Sequence, residues 1–379
     1  MPKLIQMSDA KNDHLELLTW LRGIAAFLVL VSHTVRVSHG VYMPGDYPVR
    51  MFLFEALDLG DFGVALFFAL SGCTLFLSYA PTTTITEVGH FYLKRIARIW
   101  PAYFVSLCVY IAFGTFFQTV YGPPSGNWIE FLSRDWGWRD VATYLTLTSN
   151  FIGVPQLFNT AYWSLPVEFQ FYLLFPLAIF LLRWRSGAGI VLVCVVLYSI
   201  GWLRPWQLPD YRVFSMAYIF CGGILSGYFY KSSKVRLPFI TTSSVFGIVL
   251  VFLSALWNKW VNLPNIHILG NQDLWLGLCA IFCVLLALHT TTPTVTIFSR
   301  FLSRYGEISY SIYLFHNIFM GLAVLVLLTF GITGVGKVFV VFSIASIGSF
   351  LIAEISYRYV ERTFINLARY WVAKRRDLK

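Results

Sequence analysis

Long apolar stretches recur along the whole chain, and short polar segments separate them. A run of about 20 apolar residues is long enough to cross a bilayer as a helix. Such runs predict helices near 17–37, 62–80, 100–120, 161–182, 189–203, 212–230, 239–257, 273–289, 305–329 and 338–357. The pattern therefore predicts an all-α fold, a polytopic membrane bundle of about ten transmembrane helices.

The longest segment between two predicted spans covers residues 121–160. Its Pro and Gly residues favour turns, and its tryptophans suit a membrane interface. This segment is predicted to form a lid or a re-entrant piece at one face of the bundle. We expect a single membrane domain over residues 1–379, with no appended soluble domain.

Composition and charge place the chain in a membrane. Of its 379 residues, 58% are hydrophobic and 12% are charged, whereas soluble domains carry roughly 25% charged residues. The net charge is +10, and most lysines and arginines fall in loops on the side of the two termini, as the positive-inside rule requires. We therefore expect an integral membrane protein with cytoplasmic termini that contacts lipid headgroups, and no nucleic-acid partner.

The first predicted span carries an arginine and a histidine, Arg22 and His33. Eleven residues make three helical turns plus about 20°, so the two side chains share a face, about 16 Å apart along the axis. A cation at mid-membrane costs at least about 2.5 kcal/mol, which calls for a cavity, a ligand or a reaction. A neutral His33 would accept a proton from a hydroxyl, or else form a purely structural hydrogen bond. Arg22 would bind an anionic or carbonyl group, or else snorkel to the interface.

A cluster of three cations precedes the third predicted span. Lys94, Arg95 and Arg98 lie within about one helical turn of each other. Three cations at that spacing suit phosphates or a nucleotide. They also suit ordinary anchoring at the membrane surface, and charge alone does not separate the two interpretations.

Two further polar groups lie within apolar spans. Glu168 would orient His33, hold sugar hydroxyls, or form a structural ion pair. Tyr313 and His316 are three residues apart and therefore neighbours on one helix surface, where they would bind a ligand or hydrogen-bond between helices. The six cysteines all fall within predicted spans, which favours packing over disulfides, and no metal site is expected.

Six motifs in order resemble the acyltransferase-3 family of integral membrane acyltransferases. They are LRGIAAFLVLVSH, GVALFFALSG, FYLKRIARIWPAYF, WSLPVEFQFYLLFP, SYSIYLFH and ERTF. The resemblance implies a ten-helix bundle that uses cytoplasmic acyl-CoA, usually acetyl-CoA, to acylate a hydroxyl of a lipid-linked or exported saccharide such as O-antigen. It also implies a bacterial inner-membrane location and that Arg22 and His33 correspond to the family's essential pair. The basic cluster around Arg95 and Arg98 matches a region that the family associates with activity and with CoA.

The chain departs from the family pattern at two positions. Many members have an acidic residue where this chain has Ala65, and proline where it has Thr363. Roles tied to those two positions are therefore not carried over.

The mechanism expected from these residues is direct acyl transfer. The donor would bind near Lys94, Arg95 and Arg98 and extend past Arg22, and His33 would deprotonate the acceptor hydroxyl. Tyr313 and His316 are further candidate donor-binding residues, and no serine or cysteine stands out as a nucleophile. Two alternatives stay open: a transporter or flippase for a lipid-linked sugar or proton-coupled solute, and a membrane scaffold or sensor.

Overall fold

A computed structural model of the chain describes residues 2–40, 52–79, 84–121, 132, 134–153, 157–203, 210–233, 235–257, 272–291 and 296–377. These parts are almost entirely helical. Their one β-type contact is an isolated parallel bridge between Leu237 and Thr290.

Eleven long helices make up most of the described chain. They are α1 (Pro2–Gly40), α2 (Gly60–Tyr79), α3 (Ile85–Tyr121), α4 (Ser164–Leu203), α5 (Ala217–Ser232), α6 (Phe239–Trp257), α7 (Gln272–His289), α8 (Ile297–Glu307), α9 (Ser309–Phe330), α10 (Val335–Ser356) and α11 (Arg362–Asp377). Shorter helices cover Phe52–Ala56, Trp138–Leu145, Ser149–Ile152 and Arg212–Ser215, with a 3₁₀ turn at Thr160–Trp163 and a π-helical turn at Tyr357–Glu361.

The predicted fold class is confirmed. Within the described residues, eight segments are long and apolar enough to cross a membrane, and Ala188–Leu203 and Asp273–His289 are shorter apolar helices. One detail differs, because the predicted spans 161–182 and 189–203 lie in the single continuous helix α4. The more polar residues between the two apolar runs include glycines, but a glycine costs only about 1 kcal/mol in a helix and does not end one.

Helix α1 lies at the centre of the bundle. It packs against α2, α7, α8, α9 and α10, which belong to both halves of the chain. Between Leu17 and Val37 its apolar side chains are mostly buried, as expected for a helix with protein on most sides, although Phe27 is exposed. On the same helix Arg22 and His33 are partly buried, whereas Arg36 is exposed.

Helices α2 and α5 approach closely because each has a glycine at the crossing. A Cβ atom placed on Gly72 would lie 2.0 Å from the carbonyl oxygen of Phe220. A Cβ atom placed on Gly223 would lie 2.0 Å from the carbonyl oxygen of Ala69. Small residues allow membrane helices to pack through their backbones. This contact fixes α2, one wall of both cavities described below.

The predicted lid segment is described at residues 132, 134–153 and 157–160; the rest of it lies outside the described residues. Its described part packs on the bundle. The hydroxyl of Tyr103 on α3 donates to the carbonyl of Tyr144, at 2.9 Å. The side-chain amide of Asn159 donates to the carbonyl of Leu314 on α9, also at 2.9 Å. These bonds hold Asn159 and the adjacent Thr160 beside α9.

Replacing Gly72 with alanine should destabilise the protein strongly, because the new methyl group would overlap a backbone oxygen that cannot rotate away. Overpacking typically costs about 1–3 kcal/mol, and a clash with backbone lies at the upper end. We expect a clear loss of monodisperse protein and a lower unfolding temperature in detergent. Gly247→Ala is the matched control, since a Cβ atom at Gly247 meets nothing within 4 Å. Equal stability of the two variants would contradict the close crossing.

Candidate functional site

The imidazole of His33 is held by two side chains of α9. Its Nδ1 atom lies 2.8 Å from Nε2 of His316 and 3.1 Å from Oδ1 of Asn317. The two imidazole rings also stack, with centroids 4.9 Å apart. Both α9 residues are fully buried, whereas His33 is partly accessible. Thus α9 fixes the orientation of His33 through contacts at Nδ1.

The hydrogen bonds of His316 determine which nitrogen of His33 carries the proton. Nδ1 of His316 lies 2.9 Å from the carbonyl oxygen of Tyr313. A carbonyl only accepts, so this Nδ1 is a donor and Nε2 of a neutral His316 is an acceptor. Nδ1 of His33 therefore donates, and its Nε2 atom keeps the lone pair. A histidine in this tautomer is prepared to accept a proton at Nε2.

A chain of amides fixes the second partner of His33. Nδ2 of Asn317 donates to Oδ1 of Asn159, at 2.6 Å, and to the hydroxyl of Thr160, at 2.8 Å. The amide of Asn159 donates in turn to the carbonyl of Leu314. Because a backbone carbonyl cannot donate, these bonds set both amide orientations. Oδ1 of Asn317 therefore faces His33 as an acceptor.

His33 lines a polar cavity of about 320 Å³, which we call the histidine cavity. Its polar lining residues are His33, Arg36, Asp61, Thr160, Trp163, Arg212 and Asp273. Apolar residues complete the wall: Val64, Ala65, Met216, Ile219 and Leu276. Helices α1, α2 and α7 each contribute residues to this lining. Ala65, one of the two departures from the family pattern, lies in this wall.

Arg22 lies in a second, smaller cavity of about 70 Å³, which we call the arginine cavity. Its polar lining residues are Arg22, Ser71, Thr74, Arg95, Arg98, Glu168, Tyr172, Ser309, Tyr310 and Tyr313. A guanidinium nitrogen of Arg22 donates to the hydroxyl of Thr74, at 3.0 Å. Arg22 therefore faces the interior of the bundle. The lining contains three guanidinium groups and one carboxylate, so the cavity favours an anion.

Glu168 belongs to the arginine cavity and is bonded to neighbours there. Its Oε1 atom accepts two hydrogen bonds, one from the hydroxyl of Ser71, at 2.7 Å, and one from the hydroxyl of Tyr172. The described contacts of His33 are to His316 and Asn317 instead. The structure thus assigns the role of orienting His33 to α9, and places Glu168 among the arginines.

Comparison with known proteins identifies the family. The family model for the acyltransferase domain, Acyl_transf_3, matches residues 16–357, which is most of the chain. The chain belongs to the acyltransferase-3 family. The resemblance carried by the six motifs is therefore confirmed.

Relatives in this family bear names that describe acyl transfer. The chain is 26% identical to the peptidoglycan O-acetyltransferase OatA of Listeria monocytogenes, over 80% of this chain and 51% of the relative. It is 26% identical to the O-acetyltransferase OatA of Staphylococcus aureus, over 84% and 57%. It is 31% identical to the acyltransferase MdmB of Streptomyces mycarofaciens, over 47% and 45%. The chain spans about half the length of these relatives. No solved structure is significantly similar to it.

The other residues predicted to bind the acyl donor in this acyltransferase-3 protein differ in their burial and in whether they line a cavity. Arg95 and Arg98 line the arginine cavity, whereas Lys94 is half-buried on α3 outside that lining. Tyr313 lines the same cavity, and its hydroxyl donates to the carbonyl of Ala161, at 2.8 Å. His316 is 1% exposed and contacts His33 rather than either cavity. Their roles in binding stay predictions.

Sequence reasoning missed the residues that complete the site. Asn317 directly follows His316, and an amide within an apolar span was a usable signal. Asp61 and Asp273 lie at span ends, where a charged residue is ordinary, so no sequence signal separated them from interface residues. The structure makes them candidate site residues, because the fold brings both to one cavity.

The proton position on His33 can be tested by ¹⁵N NMR of histidine-labelled protein, with His33→Asn used to assign the signals. We expect an unprotonated Nε2 in the wild type and in His316→Phe, because Asn317 remains as an acceptor. In the double variant with Asn317→Leu, the Nε2-protonated form preferred by free imidazole should appear. Asn150→Ala, which breaks the buried amide pair with Gln170, is the control. A protonated Nε2 in the neutral wild-type ring would contradict the assignment.

Proposed function

We propose that this protein transfers an acyl group, most simply acetyl, from a CoA thioester to a hydroxyl of a cell-surface or lipid-linked saccharide. The observation that carries the proposal is that His33 lines a polar cavity while its Nδ1 atom contacts His316 and Asn317, from which we infer a lone pair on Nε2. Family membership and relatives named as O-acetyltransferases support the same chemistry.

The arginine cavity supplies the donor side of the proposal. Its volume of about 70 Å³ corresponds to roughly two water molecules, so it cannot take a nucleotide. The nucleotide would lie at the adjoining surface, where Lys94 and Arg98 share a face of α3 and bind phosphates. The narrow acyl-bearing arm would enter past Arg22, Arg95 and Arg98. Glu168 would hold the Ser71 and Tyr172 hydroxyls beside Arg22.

The acceptor side is the histidine cavity. A saccharide hydroxyl would donate to Nε2 of His33 and lose its proton to that atom as its oxygen attacks the acyl carbon. A C–O bond forms, the C–S bond breaks, and the proton passes from His33 to the departing thiolate. Nδ1 of His33 keeps its two acceptors throughout, which stabilises the imidazolium form.

The two cavities also fit the proposed topology. Arg22 precedes His33 by about three turns of α1, which is about 16 Å. With the N-terminus in the cytoplasm, the arginine cavity lies on the side where CoA thioesters occur, and the histidine cavity on the side of exported saccharides. This arrangement agrees with the positive-inside distribution of the loops.

Transfer from radiolabelled acetyl-CoA to a saccharide acceptor should depend on His33. We expect His33→Ala to lower kcat by at least about 100-fold, the usual contribution of a general base. Arg95→Gln and Arg98→Gln should instead raise the KM for acetyl-CoA about tenfold, since each removes a charge-assisted hydrogen bond. The assay uses purified protein in nanodiscs, with products separated by chromatography.

Arg300→Gln is the matched control for the arginine variants, because Arg300 is exposed on α8 and lines neither cavity. It should leave both constants unchanged. Saccharide or proton flux without acyl transfer would support a transporter and overturn the proposal. Unchanged transfer in His33→Ala would remove its chemical basis.

A further inference from the structure

The two cavities differ sharply in charge. In the arginine cavity three guanidinium groups face one carboxylate. In the histidine cavity two arginines are matched by two aspartates, Asp61 and Asp273. A balanced wall gives no overall attraction for an anion. The same protein therefore offers one site suited to phosphates and one that is not.

Local pairing strengthens this contrast. A guanidinium nitrogen of Arg36 lies 3.4 Å from a carboxylate oxygen of Asp61. The guanidinium of Arg212 meets Asp210 at 2.9 Å, and its Nε atom donates to both oxygens of that carboxylate. Each arginine of the histidine cavity thus already faces an acidic partner. An incoming carboxylate or phosphate would therefore compete with the carboxylate of Asp61 or Asp210 for the arginine.

The shape and chemistry of the histidine cavity fit a sugar ring. Carboxylates accept hydrogen bonds from hydroxyl groups, and guanidinium groups donate to them. The indole of Trp163 supplies an apolar surface, and the guanidinium of Arg212 lies 4.2 Å from its ring centre, which fixes the indole plane. A volume of about 320 Å³ lies near the lower limit of small-molecule sites, roughly 300–1,000 Å³, and suits one ring rather than a chain.

We propose that the histidine cavity is a subsite for a single uncharged hexopyranosyl ring, with Asp61 and Asp273 accepting hydrogen bonds from its hydroxyls. That the bound ring is the one that becomes acylated rests on the proposed function, whereas the binding of the ring to this cavity does not. Thr160 lines the cavity and accepts a hydrogen bond from Asn317, so the subsite is joined directly to the group that orients His33. A hydroxyl of the bound ring would thereby lie beside Nε2.

The test is binding without donor, so that it is independent of turnover. The probes are the methyl glycosides of glucose and galactose and their matched uronides, which differ only in a carboxylate at C6. Saturation-transfer NMR with protein in nanodiscs gives Kd. We expect at least one neutral glycoside to bind about tenfold more tightly than its uronide, a difference expected from one unfavourable charge contact.

Variants identify the groups responsible. Asp61→Asn and Asp273→Asn should each weaken binding of the neutral glycoside about tenfold, because a hydrogen bond to a charged acceptor is lost. The double variant keeps the pair of Arg212 with Asp210 but removes the carboxylate that faces Arg36, so it should reverse the preference toward the uronide. Asp135→Asn, at an exposed carboxylate outside both cavities, should bind as the wild type does.

Three results would overturn the subsite: equal or tighter binding of the uronides by the wild type, binding of none of the four probes, or aspartate variants that bind as the wild type does. Failure of the proposed function gives a different result. In that case the neutral glycoside binds selectively, but acetyl-CoA and acceptor yield no His33-dependent product. Transfer that occurs equally to neutral and anionic acceptors would retain the function and remove the subsite.

Discussion

The site depends on the hydrogen bonds that join α1 to α9 at His33. Within a membrane, a polar group without a partner costs several kcal/mol, so the hydrogen bonds of His33 stabilise the packing of α1 on α9. Nδ1 of His33 meets two, from His316 and Asn317, and Asn317 is fixed in turn by Asn159 and Thr160. The same bonds that satisfy these groups leave Nε2 of His33 as a base. Stability and the proposed chemistry therefore have a common origin.

Charge separates the two ends of the proposed reaction. The surplus of guanidinium groups around Arg22 is held within the bundle by hydroxyl and carboxylate neighbours such as Thr74 and Glu168. The wall around His33 contains two arginines and two aspartates instead. Arg36 is paired with Asp61 of that wall, and Arg212 with Asp210, which does not line the cavity. In the proposed reaction, this difference would distinguish an anionic donor from an uncharged acceptor before either reached the reacting atoms.

The sequence was sufficient for the fold class and for the family, because apolar runs and ordered motifs are local signals. It also placed Arg22 and His33 on one face of a helix, and both line cavities. The sequence could not show which side chains contact Arg22 or His33. The partners of His33 are 283 and 284 residues away, and Asp61 reaches Asp273 only through the packing of α2 and α7. Such contacts depend on helix packing, which no local pattern encodes.

Two aromatic side chains of the arginine cavity would bear on any route from that cavity to His33. Phe67 and Tyr313 both line the arginine cavity, meet edge to face at 5.8 Å, and Tyr313 adjoins His316. The hydroxyl of Tyr313 is fixed by Ala161 and Ser164, at 2.8 and 2.6 Å. Phe67 forms no hydrogen bond and is held by packing, which includes its edge-to-face contact with Tyr313, worth about 0.5–1.5 kcal/mol beyond burial. If the donor arm reached His33 along this path, rotating Phe67 would cost less than displacing Tyr313, because displacing Tyr313 would break the two hydrogen bonds of its hydroxyl.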